Sequence, residues 1–351
     1  MKIGIVNDLP MAVEMLRRAL ATRPDHQVIW VATDGEDAVK LCAWQTPDLV
    51  LMDLVMPNMD GVEATRHIMQ KTPCPILVVT VDVGVHAWRV YDAMGAGALD
   101  AVDTPSLGNG DLNKSAAPLL AKIDAIERRG SDHRGSDRRH VATQIAQQAV
   151  FDASTPLVAI GASAGGPAAL ATVLAGLPAD FPAALVVVQH IDQSFAAGLA
   201  GWLDEQCALT VRLAVEGDQP LAGTVLVAGT DLHLRLKSGD RLGYTQDPVD
   251  NPYHPSVDVF FHSVVQWWRG RAVGVLLTGM GRDGAQGLKA MRDQGCHTIA
   301  QDRGSSAVYG MPKAAAALDA AVEILPVGTI AQKLISALPY MRNRSSELWN
   351  Q

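Results

Sequence analysis

The sequence predicts an α/β protein made of two doubly wound domains. Short apolar runs alternate with amphipathic helical patterns up to residue 102, and the alternation resumes beyond residue 154. Such alternation is typical of parallel sheets covered by helices on both faces. The chain has 351 residues, of which 48% are hydrophobic and 19% charged, so it can form two domains with a core each.

Five strands, each followed by a helix, are predicted in the first domain. The strands cover residues 3–6, 28–31, 49–52, 76–79 and 98–102, and the helices cover residues 13–20, 34–44, 63–69, 88–94 and 116–127. This succession indicates a doubly wound parallel sheet, and the last helix closes a domain over residues 1–127.

A polar segment follows the first domain. Residues 128–140 contain five arginines, a doubled Gly-Ser-Asp and no apolar side chain. This composition is typical of a flexible linker, which we predict over residues 128–152. The arginines could contact phosphate or an acidic partner, but a solvated linker explains them more simply. A short helix is predicted at residues 141–150.

The second domain is predicted over residues 153–345 and repeats the alternation. Buried strands are expected at residues 157–160, 184–188, 272–277 and 297–300, and helices at residues 167–174, 195–205, 257–268, 284–293 and after residue 312. Short strands at residues 210–214, 224–227, 232–236 and 241–244 are expected to form a hairpin region at the edge of a mostly parallel sheet.

A glycine-rich turn, Gly161-Ala-Ser-Ala-Gly-Gly166, joins the first strand of this domain to its first helix. The glycines permit backbone angles closed to other residues and leave the Ser163 hydroxyl uncrowded, while the helix start supplies N–H groups for a developing oxyanion. Ser163 is therefore a candidate nucleophile, as in a G-x-S-x-G elbow. Two other interpretations remain open. One is a dinucleotide loop, which a serine at the second glycine position disfavours, and the other is a turn without chemistry.

Two further polar residues follow predicted strands of the second domain. His190 comes directly after the strand at 184–188 and Gln189, and Asp283 follows the strand at 272–277. Because the carboxyl ends of parallel strands share one edge of a sheet, both side chains can converge on Ser163. A serine nucleophile needs a base to take its proton, and the base needs a carboxylate to fix its tautomer.

Two aspartates occupy corresponding positions in the first domain. Asp8 follows the first strand and Asp53 follows the third strand. Their carboxylates could share a hard cation such as Mg²⁺. The alternative is that strand-end aspartates cap the loops that follow them.

Composition excludes several classes of protein. A net charge of −8 argues against nucleic-acid binding, and there is no basic recognition helix. The four cysteines are scattered without a C-x-x-C pair, which indicates reduced thiols rather than a metal site. No signal peptide is recognised and no apolar stretch approaches the roughly 20 residues of a membrane helix, so we expect a cytoplasmic protein without membrane insertion.

Several motifs of the second half together resemble one family. G-A-S-A-G-G, V-V-Q-H, H-P-S-V-D-V-F-F, L-L-T-G-M-G-R-D-G-A and V-Y-G-M-P are similar to the CheB family, the protein-glutamate methylesterases of bacterial chemotaxis. The resemblance implies Ser163 as nucleophile, His190 as base, Asp283 as its orienting acid and the Met280 N–H as an oxyanion donor. It implies no cofactor in the catalytic domain, and a methylated chemoreceptor-type protein as substrate, with deamidation of receptor glutamines as a second reaction.

The first half resembles the receiver domain that this family carries, which has a flavodoxin-like fold. The segment D-L-V-M-P-x-M-D-G is similar to the phosphorylation segment of receivers. The resemblance implies Asp53 as phospho-acceptor, Asp8 and the Val55 carbonyl as partners of Asp53 in binding Mg²⁺, and Thr80 as the switch hydroxyl. It implies a CheA-type histidine kinase as phosphodonor and a receiver that covers the catalytic site until Asp53 is phosphorylated.

Three residues depart from the family pattern. Asn7 stands where receivers usually have a second acid, Thr104 where they have lysine, and Ala164 where the catalytic domain often has threonine. The V-N-D and V-D-T-P variants are similar to the methylesterase branch of Wsp-type surface-sensing systems, whose output is a cyclic-di-GMP synthase.

Two alternative functions remain open besides methylesterase activity. A non-enzymatic adaptor would use the receiver only to dock partners and would not react with a serine-directed probe. A nucleotide-binding regulator would need an acidic ribose partner about 20 residues past Gly166, and no acid lies in a fitting strand-end position.

Overall fold

The computed structural model describes residues 1–81, 87–105, 112–131 and 155–338. It contains two large parallel sheets, so the predicted α/β class with two doubly wound domains is confirmed. The predicted helix at 141–150, most of the predicted linker and the last residues of the predicted second domain lie outside the described residues. Within the described ranges, no helix combines the length and apolar character needed to cross a membrane.

The first sheet has five parallel strands in the flavodoxin-like order β2-β1-β3-β4-β5. Its strands are β1 (Lys2–Val6), β2 (Gln27–Ala32), β3 (Leu49–Met52), β4 (Ile76–Thr80) and β5 (Asp100–Asp103). Its helices are α1 (Pro10–Ala21), α2 (Gly35–Trp44), α3 (Gly61–Lys71), α4 (Ala87–Ala96) and α5 (Leu112–Ser131). The topology sets the carboxyl ends of β1 and β3 side by side, where ligands bind in such sheets.

Several element boundaries differ from the sequence prediction by a few residues, among them the start of β5 and the end of α5. Strand β5 begins at Asp100 rather than at residue 98, because the Ala98 N–H still bonds the Ala93 carbonyl at the end of α4. Gly97, with φ of 120°, ends that helix in a conformation that favours glycine. Helix α5 continues through Ser131, beyond its predicted end at residue 127. The domain limits themselves stay a prediction.

The second sheet has seven strands in the order β14-β13-β12-β6-β7-β9-β8, and every pairing is parallel. Its strands are β6 (Leu157–Ala162), β7 (Ala184–Gln189), β8 (Thr210–Leu213), β9 (Thr224–Val227), β12 (Ala272–Leu276), β13 (His297–Gln301) and β14 (Glu323–Leu325). Its helices are α6 (Gly166–Ala175), α7 (Gln193–Gln206), α8 (Val257–Trp267), α9 (Ala285–Asp293), α10 (Met311–Ala317) and α11 (Val327–Ala337).

The prediction of one hairpin region is wrong for two of its four strands. β10 (His233–Lys237) and β11 (Arg241–Thr245) form the expected antiparallel pair, but in a two-stranded sheet of their own rather than at the edge of the main sheet. β8 and β9 instead extend the main sheet in parallel beyond β7. Val225, Leu226 and Val227 are all fully buried, and such a continuous apolar run is typical of a parallel strand covered on both faces. Strand β14 and helix α11 were not predicted.

The two domains pack against each other through helix α4. Gly95 permits a close approach to α6, because a Cβ at this position would lie 2.9 Å from the Cβ of Ala168. The Tyr91 hydroxyl donates a hydrogen bond of 3.2 Å to the Phe195 carbonyl at the start of α7. The first domain therefore lies at the edge of the second sheet where β6 and β7 end.

Candidate active site

Ser163 lies in a tight turn between β6 and α6 that neighbouring strands hold in place. The Ser163 N–H donates to the Thr278 carbonyl at 3.0 Å, and its carbonyl accepts from the Gln189 side chain at 2.9 Å. Gly165 has φ of 79°, and a Cβ on Gly166 would lie 2.0 Å from Gln189 Oε1. The turn therefore needs glycine at position 165 for the positive φ and at position 166 for the close approach of the Gln189 side chain.

His190 and Asp283 form a buried pair at the same edge of the sheet. His190 is 3% exposed, and its Nε2 lies 2.8 Å from Asp283 Oδ2. A carboxylate accepts hydrogen bonds, so the imidazole proton belongs on Nε2 and the lone pair of Nδ1 is left for base chemistry. Nδ1 is buried and has no hydrogen-bond partner among the described residues.

Asp283 is held by the amino end of helix α8. Its Oδ1 accepts from the Ser256 hydroxyl at 2.8 Å and from the Asp258 N–H at 3.1 Å, and its Oδ2 accepts from the Val257 N–H at 2.6 Å. Burial opposes ionisation of Asp283, but the hydrogen bonds from His190 and from these backbone groups lower its pKa. Asp283 therefore stays charged and fixed in orientation.

Sequence reasoning missed this support for Asp283, and it missed Tyr253. The Tyr253 ring stacks on the His190 ring, with 4.9 Å between centroids and 16° between planes. Its hydroxyl approaches the Met280 loop so closely that a Cβ on Gly281 would lie 2.2 Å from it. The sequence predicts a helix from residue 257, but nothing in it connects that helix end to Asp283.

The peptide unit between Gly279 and Met280 is oriented by the loop that precedes α10. The Gly279 carbonyl accepts from the Gly310 and Met311 N–H groups at 3.1 and 2.8 Å. In a trans peptide the N–H points away from the carbonyl, so the Met280 N–H is directed to the opposite side. Gly279 packs on the nucleophile turn, since a Cβ there would lie 2.8 Å from the Cβ of Ser163. This arrangement suits an oxyanion donor.

The first domain covers this site in the conformation described. The Gly165 N–H of the nucleophile turn donates to the Met94 carbonyl of α4 at 2.7 Å. Ala164 belongs to the same apolar cluster as Leu99 and Val102 of the first domain. Ser163 is 7% exposed. No hydrogen bond joins Ser163 to His190 among the described contacts. Hydrogen bonds between a nucleophile and its base are often long or absent before substrate binds.

An ion pair also crosses the domain interface beside His190. Lys122 Nζ of α5 lies 3.0 Å from Asp192 Oδ2 and 2.8 Å from Asp100 Oδ2 of β5. Asp192 also caps α7, because its Oδ1 accepts from the Ser194 N–H. Burial opposes ionisation of Asp192, but its bonds from Ser194 and Lys122 lower the pKa. Burial raises the pKa of Asp100 in spite of Lys122. One ammonium group therefore links two carboxylates from different domains.

The predicted phosphorylation site lies at the carboxyl edge of the first sheet. Asp53 is 5% exposed and accepts from the Asn7 amide at 3.1 Å and from the Leu54 N–H at 2.7 Å. Asp8 is half-buried at the end of β1, and Val55 lies in the loop after β3. This set of carboxylate and carbonyl oxygens is chemically suited to Mg²⁺.

The switch residues occupy the neighbouring strand ends. Thr80 ends β4 and is 2% exposed, and its carbonyl accepts from the Thr104 N–H at 2.8 Å. The Thr104 hydroxyl is buried without a hydrogen-bond partner among the described residues. Thr104 therefore provides neither a charge nor a hydrogen bond to Asp53 in this conformation.

The remaining histidines of this region have structural contacts. His233 is fully buried, accepts from the Ser256 N–H at Nδ1 and approaches the Pro248 carbonyl with Nε2. His254 stacks on it at 4.6 Å between centroids. These contacts support the turn that leads into α8.

Comparison with known proteins assigns each half of the chain to a family model. The CheB methylesterase model matches residues 158–334, and the response regulator receiver domain model matches residues 3–112. The chain is 60% identical over 337 residues to a protein of Cupriavidus pinatubonensis named protein-glutamate methylesterase/protein-glutamine glutaminase 1, covering 96% of this chain and 97% of that protein.

Two further relatives agree. A protein of Pseudomonas putida, named protein-glutamate methylesterase/protein-glutamine glutaminase of group 3 operon, is 60% identical over 334 residues, covering 95% of this chain and 98% of its own. The crystal structure of the CheB methylesterase catalytic domain of Thermotoga maritima is similar with a TM-score of 0.51 and 35% identity, covering 52% of this chain and 99% of that one.

Proposed function

Because this chain belongs to the CheB methylesterase family, we propose that it hydrolyses glutamate methyl esters on methyl-accepting receptor proteins through Ser163, His190 and Asp283. Its relatives are named for this activity and for deamidation of protein glutamine. The observation that carries the assignment is the buried His190–Asp283 pair, which leaves Nδ1 of His190 unprotonated at the sheet edge that also holds Ser163.

In the first half-reaction, Ser163 Oγ attacks the carbonyl carbon of the ester and His190 Nδ1 takes the hydroxyl proton. The Met280 N–H stabilises the negative charge on the former carbonyl oxygen. The intermediate collapses by breaking the bond to the methoxy oxygen, which leaves as methanol with the proton from His190. Asp283 stabilises the imidazolium throughout. A glutamine substrate would release ammonia by the same steps.

In the second half-reaction, water hydrolyses the glutamyl ester of Ser163. His190 takes a proton from the water, the hydroxyl attacks the carbonyl carbon, and the bond to Ser163 Oγ breaks. His190 returns this proton to Ser163, and the product carboxylic acid loses its own proton to solvent and leaves as a glutamate carboxylate. His190 therefore moves the proton in both half-reactions, and the net product proton goes to water.

Phosphorylation of Asp53 is proposed to regulate this reaction. Mg²⁺ would be held by Asp8, Asp53 and the Val55 carbonyl, and it would supply positive charge to the phosphoryl oxygens. A CheA-type histidine kinase would be the phosphodonor, and Thr80 the hydroxyl that responds. The contact between the Gly165 N–H and the Met94 carbonyl supports a receiver that blocks the nucleophile turn until it moves.

We also propose limits for the two domains and a cellular location for the protein. We divide the chain into a receiver over residues 1–127, a linker over 128–152 and a catalytic domain over 153–345, and the family-model matches support this division. The protein would act in the cytoplasm on the cytoplasmic helices of its receptor. Membership of the Wsp-type branch stays a prediction.

The test is methanol release from methylated receptor membranes. We expect the wild-type protein to release methanol, and Ser163→Ala to release none above background while its unfolding temperature stays unchanged, because loss of a triad nucleophile costs orders of magnitude in rate. Near-normal release by folded Ser163→Ala would exclude this nucleophile. No release by the wild-type protein, with no labelling by a serine-directed probe, would favour the adaptor function.

A further inference from the structure

A cleft of about 910 Å³ lies between the two domains and reaches the Met280 loop. One wall comes from the ends of α3 and α4, and the other comes from residues 303–317 of the second domain. A volume of this size falls in the range of pockets that take drug-sized ligands. It is therefore much larger than the side chain of one glutamate methyl ester requires.

The charged side chains that line this cleft are cationic. Arg66 belongs to the first domain, and Arg303 and Lys313 belong to the second. No carboxylate lines the cleft within the described residues, although the whole chain has a net charge of −8. A local excess of one charge sign, opposite to that of the molecule, favours a ligand of the other sign.

Arg303 and Lys313 are exposed, and neither forms an ion pair within the described part of the chain. The nearest acid in sequence, Asp302, is occupied by the turn, because its Oδ1 accepts from both the N–H and the hydroxyl of Ser305. The two cations are therefore available to a ligand without the loss of an existing contact.

Both cations lie on the segment that orients the oxyanion donor through contacts with Gly279. Lys313 lies in the first turn of α10, whose first residue, Met311, donates its N–H to the Gly279 carbonyl. Arg303 precedes the segment in which Tyr309 pairs with Gly279. A group bound by these cations would thus have a fixed relation to the ester carbonyl at the Met280 N–H.

We propose that Arg303 and Lys313 form a subsite that binds carboxylates next to the reacting methyl ester on an acidic substrate helix. This inference rests on the proposed methylesterase function and adds the charge of the segment that the enzyme selects. Side chains three or four residues apart lie on one face of a helix about 5–6 Å from each other. Glutamates within one turn of the esterified residue are thus near the site when the ester reacts.

Arg66, the third cation of the cleft, is not part of the proposed subsite. It belongs to the receiver, so a movement that uncovers Ser163 would carry it away from the cleft. Arg303 and Lys313 would remain with the catalytic domain. Exposed charges of this kind guide encounter and orientation more than they change the chemical step. The effect of the subsite is therefore expected in kcat/KM and not in kcat.

The experiment uses the full-length protein with acetyl phosphate and two synthetic helical peptides. Each peptide carries one glutamate γ-methyl ester, flanked by glutamates three and four residues away in one peptide and by glutamines in the other. The variants are Arg303→Glu/Lys313→Glu and, as a control, Arg269→Glu. Arg269 is exposed and precedes β12, so it lies at the opposite, amino edge of the sheet.

We expect the wild-type protein to prefer the glutamate peptide, and the double variant to lose this preference. Its kcat/KM for the glutamate peptide should fall about tenfold, because two exposed attractive pairs are replaced by repulsive ones. Its kcat and its kcat/KM for the glutamine peptide should change less than about twofold, and Arg269→Glu should behave as the wild type does. High salt should remove the preference of the wild type.

An unchanged kcat/KM for the glutamate peptide in the double variant would overturn the subsite. So would an equal loss for both peptides, since it would indicate a general defect of the catalytic loop. If the wild-type protein released methanol from neither peptide nor from receptor membranes, the proposed function would fall and the subsite with it. Methanol release without charge preference would contradict the subsite alone.

Discussion

The two sheets place functional residues at the same kind of edge, but they complete the two sites in opposite ways. In the second domain, Asp283 has four donors, from His190, Ser256, Val257 and Asp258, all supplied by the protein. In the first domain, Asp53 accepts from the Asn7 amide and from the Leu54 N–H, and threonine stands at position 104, where receivers typically have lysine. The catalytic site thus holds its acid and base with groups of its own domain, whereas the predicted phosphorylation site would be completed by Mg²⁺ and a phosphoryl group that bind from outside.

The largest effect should come from disturbing the catalytic site. Asp283→Asn would replace the acceptor that holds the Nε2 proton, so His190 would be fixed with its proton on the nitrogen that must act as base. We expect methanol release to fall about a thousandfold to ten-thousandfold. The measurement is initial-rate methanol release from methylated receptor membranes.

The control for that variant is Asp293→Asn, which changes an exposed acid at the end of α9 that pairs with Lys289. It should keep the wild-type rate. If the Asp283→Asn protein has the unfolding temperature of the wild type and retains more than about a tenth of its activity, another group must orient His190.

A smaller effect should follow when the connection between the two regions is weakened. Asp192→Asn would remove the charge that pairs with Lys122 across the interface, and asparagine would still cap α7. We expect basal methanol release without phosphodonor to rise about threefold to tenfold, because a partly buried pair that stabilises the covered state is lost.

The matched control is Asp124→Asn, which breaks a pair of the same type with Arg23 inside the first domain. Its basal activity should equal that of the wild type. If both variants left basal activity unchanged, the Lys122 contact would have no part in covering the site, and the α4 contacts alone would hold the domains together.

The smallest effect concerns the signal-receiving site. Thr104→Lys would restore the lysine that receivers usually have at this position, and its charge-assisted hydrogen bond to a phosphoryl group would be roughly twice as strong as a neutral one. A modification shifts an equilibrium only by its differential interaction with the two states. We expect the ratio of activities with and without acetyl phosphate to rise about twofold to fivefold.

The ratio of activities with and without acetyl phosphate should stay at one in Asp53→Asn/Thr104→Lys, because this double variant has the new lysine but lacks the phospho-acceptor. Equal activation ratios in Thr104→Lys and the wild type would locate the coupling at Thr80 or at the domain interface instead.

The sequence was informative where local patterns determine the structure. The strand, glycine turn and helix around Ser163 are contiguous, and the strand-end positions of His190 and Asp283 follow from parallel topology. The carboxyl-edge aspartates of the first domain were predictable for the same reason. These residues required no knowledge of contacts between distant segments.

The parts that could not be predicted depend on packing between distant segments. The helix end at Val257 is recognisable from its capping serine, but its use as a cradle for Asp283 depends on how α8 and α9 pack. Tyr253 meets His190 only through the path of the loop before α8. The place of β9 beside β7 depends on which sheet edge was free, although its continuous burial pattern was a signal for a parallel strand.

The central claim about this protein is that the first domain covers a finished catalytic site and that phosphorylation uncovers it. The most direct measurement is the rate at which a fluorophosphonate labels Ser163 in the full-length protein, with and without acetyl phosphate and Mg²⁺, with Ser163→Ala to verify the labelled residue. We predict slow labelling that accelerates severalfold with the phosphodonor, and no acceleration in Asp53→Asn. Rapid labelling of the unphosphorylated protein, unchanged by the phosphodonor, would contradict the claim.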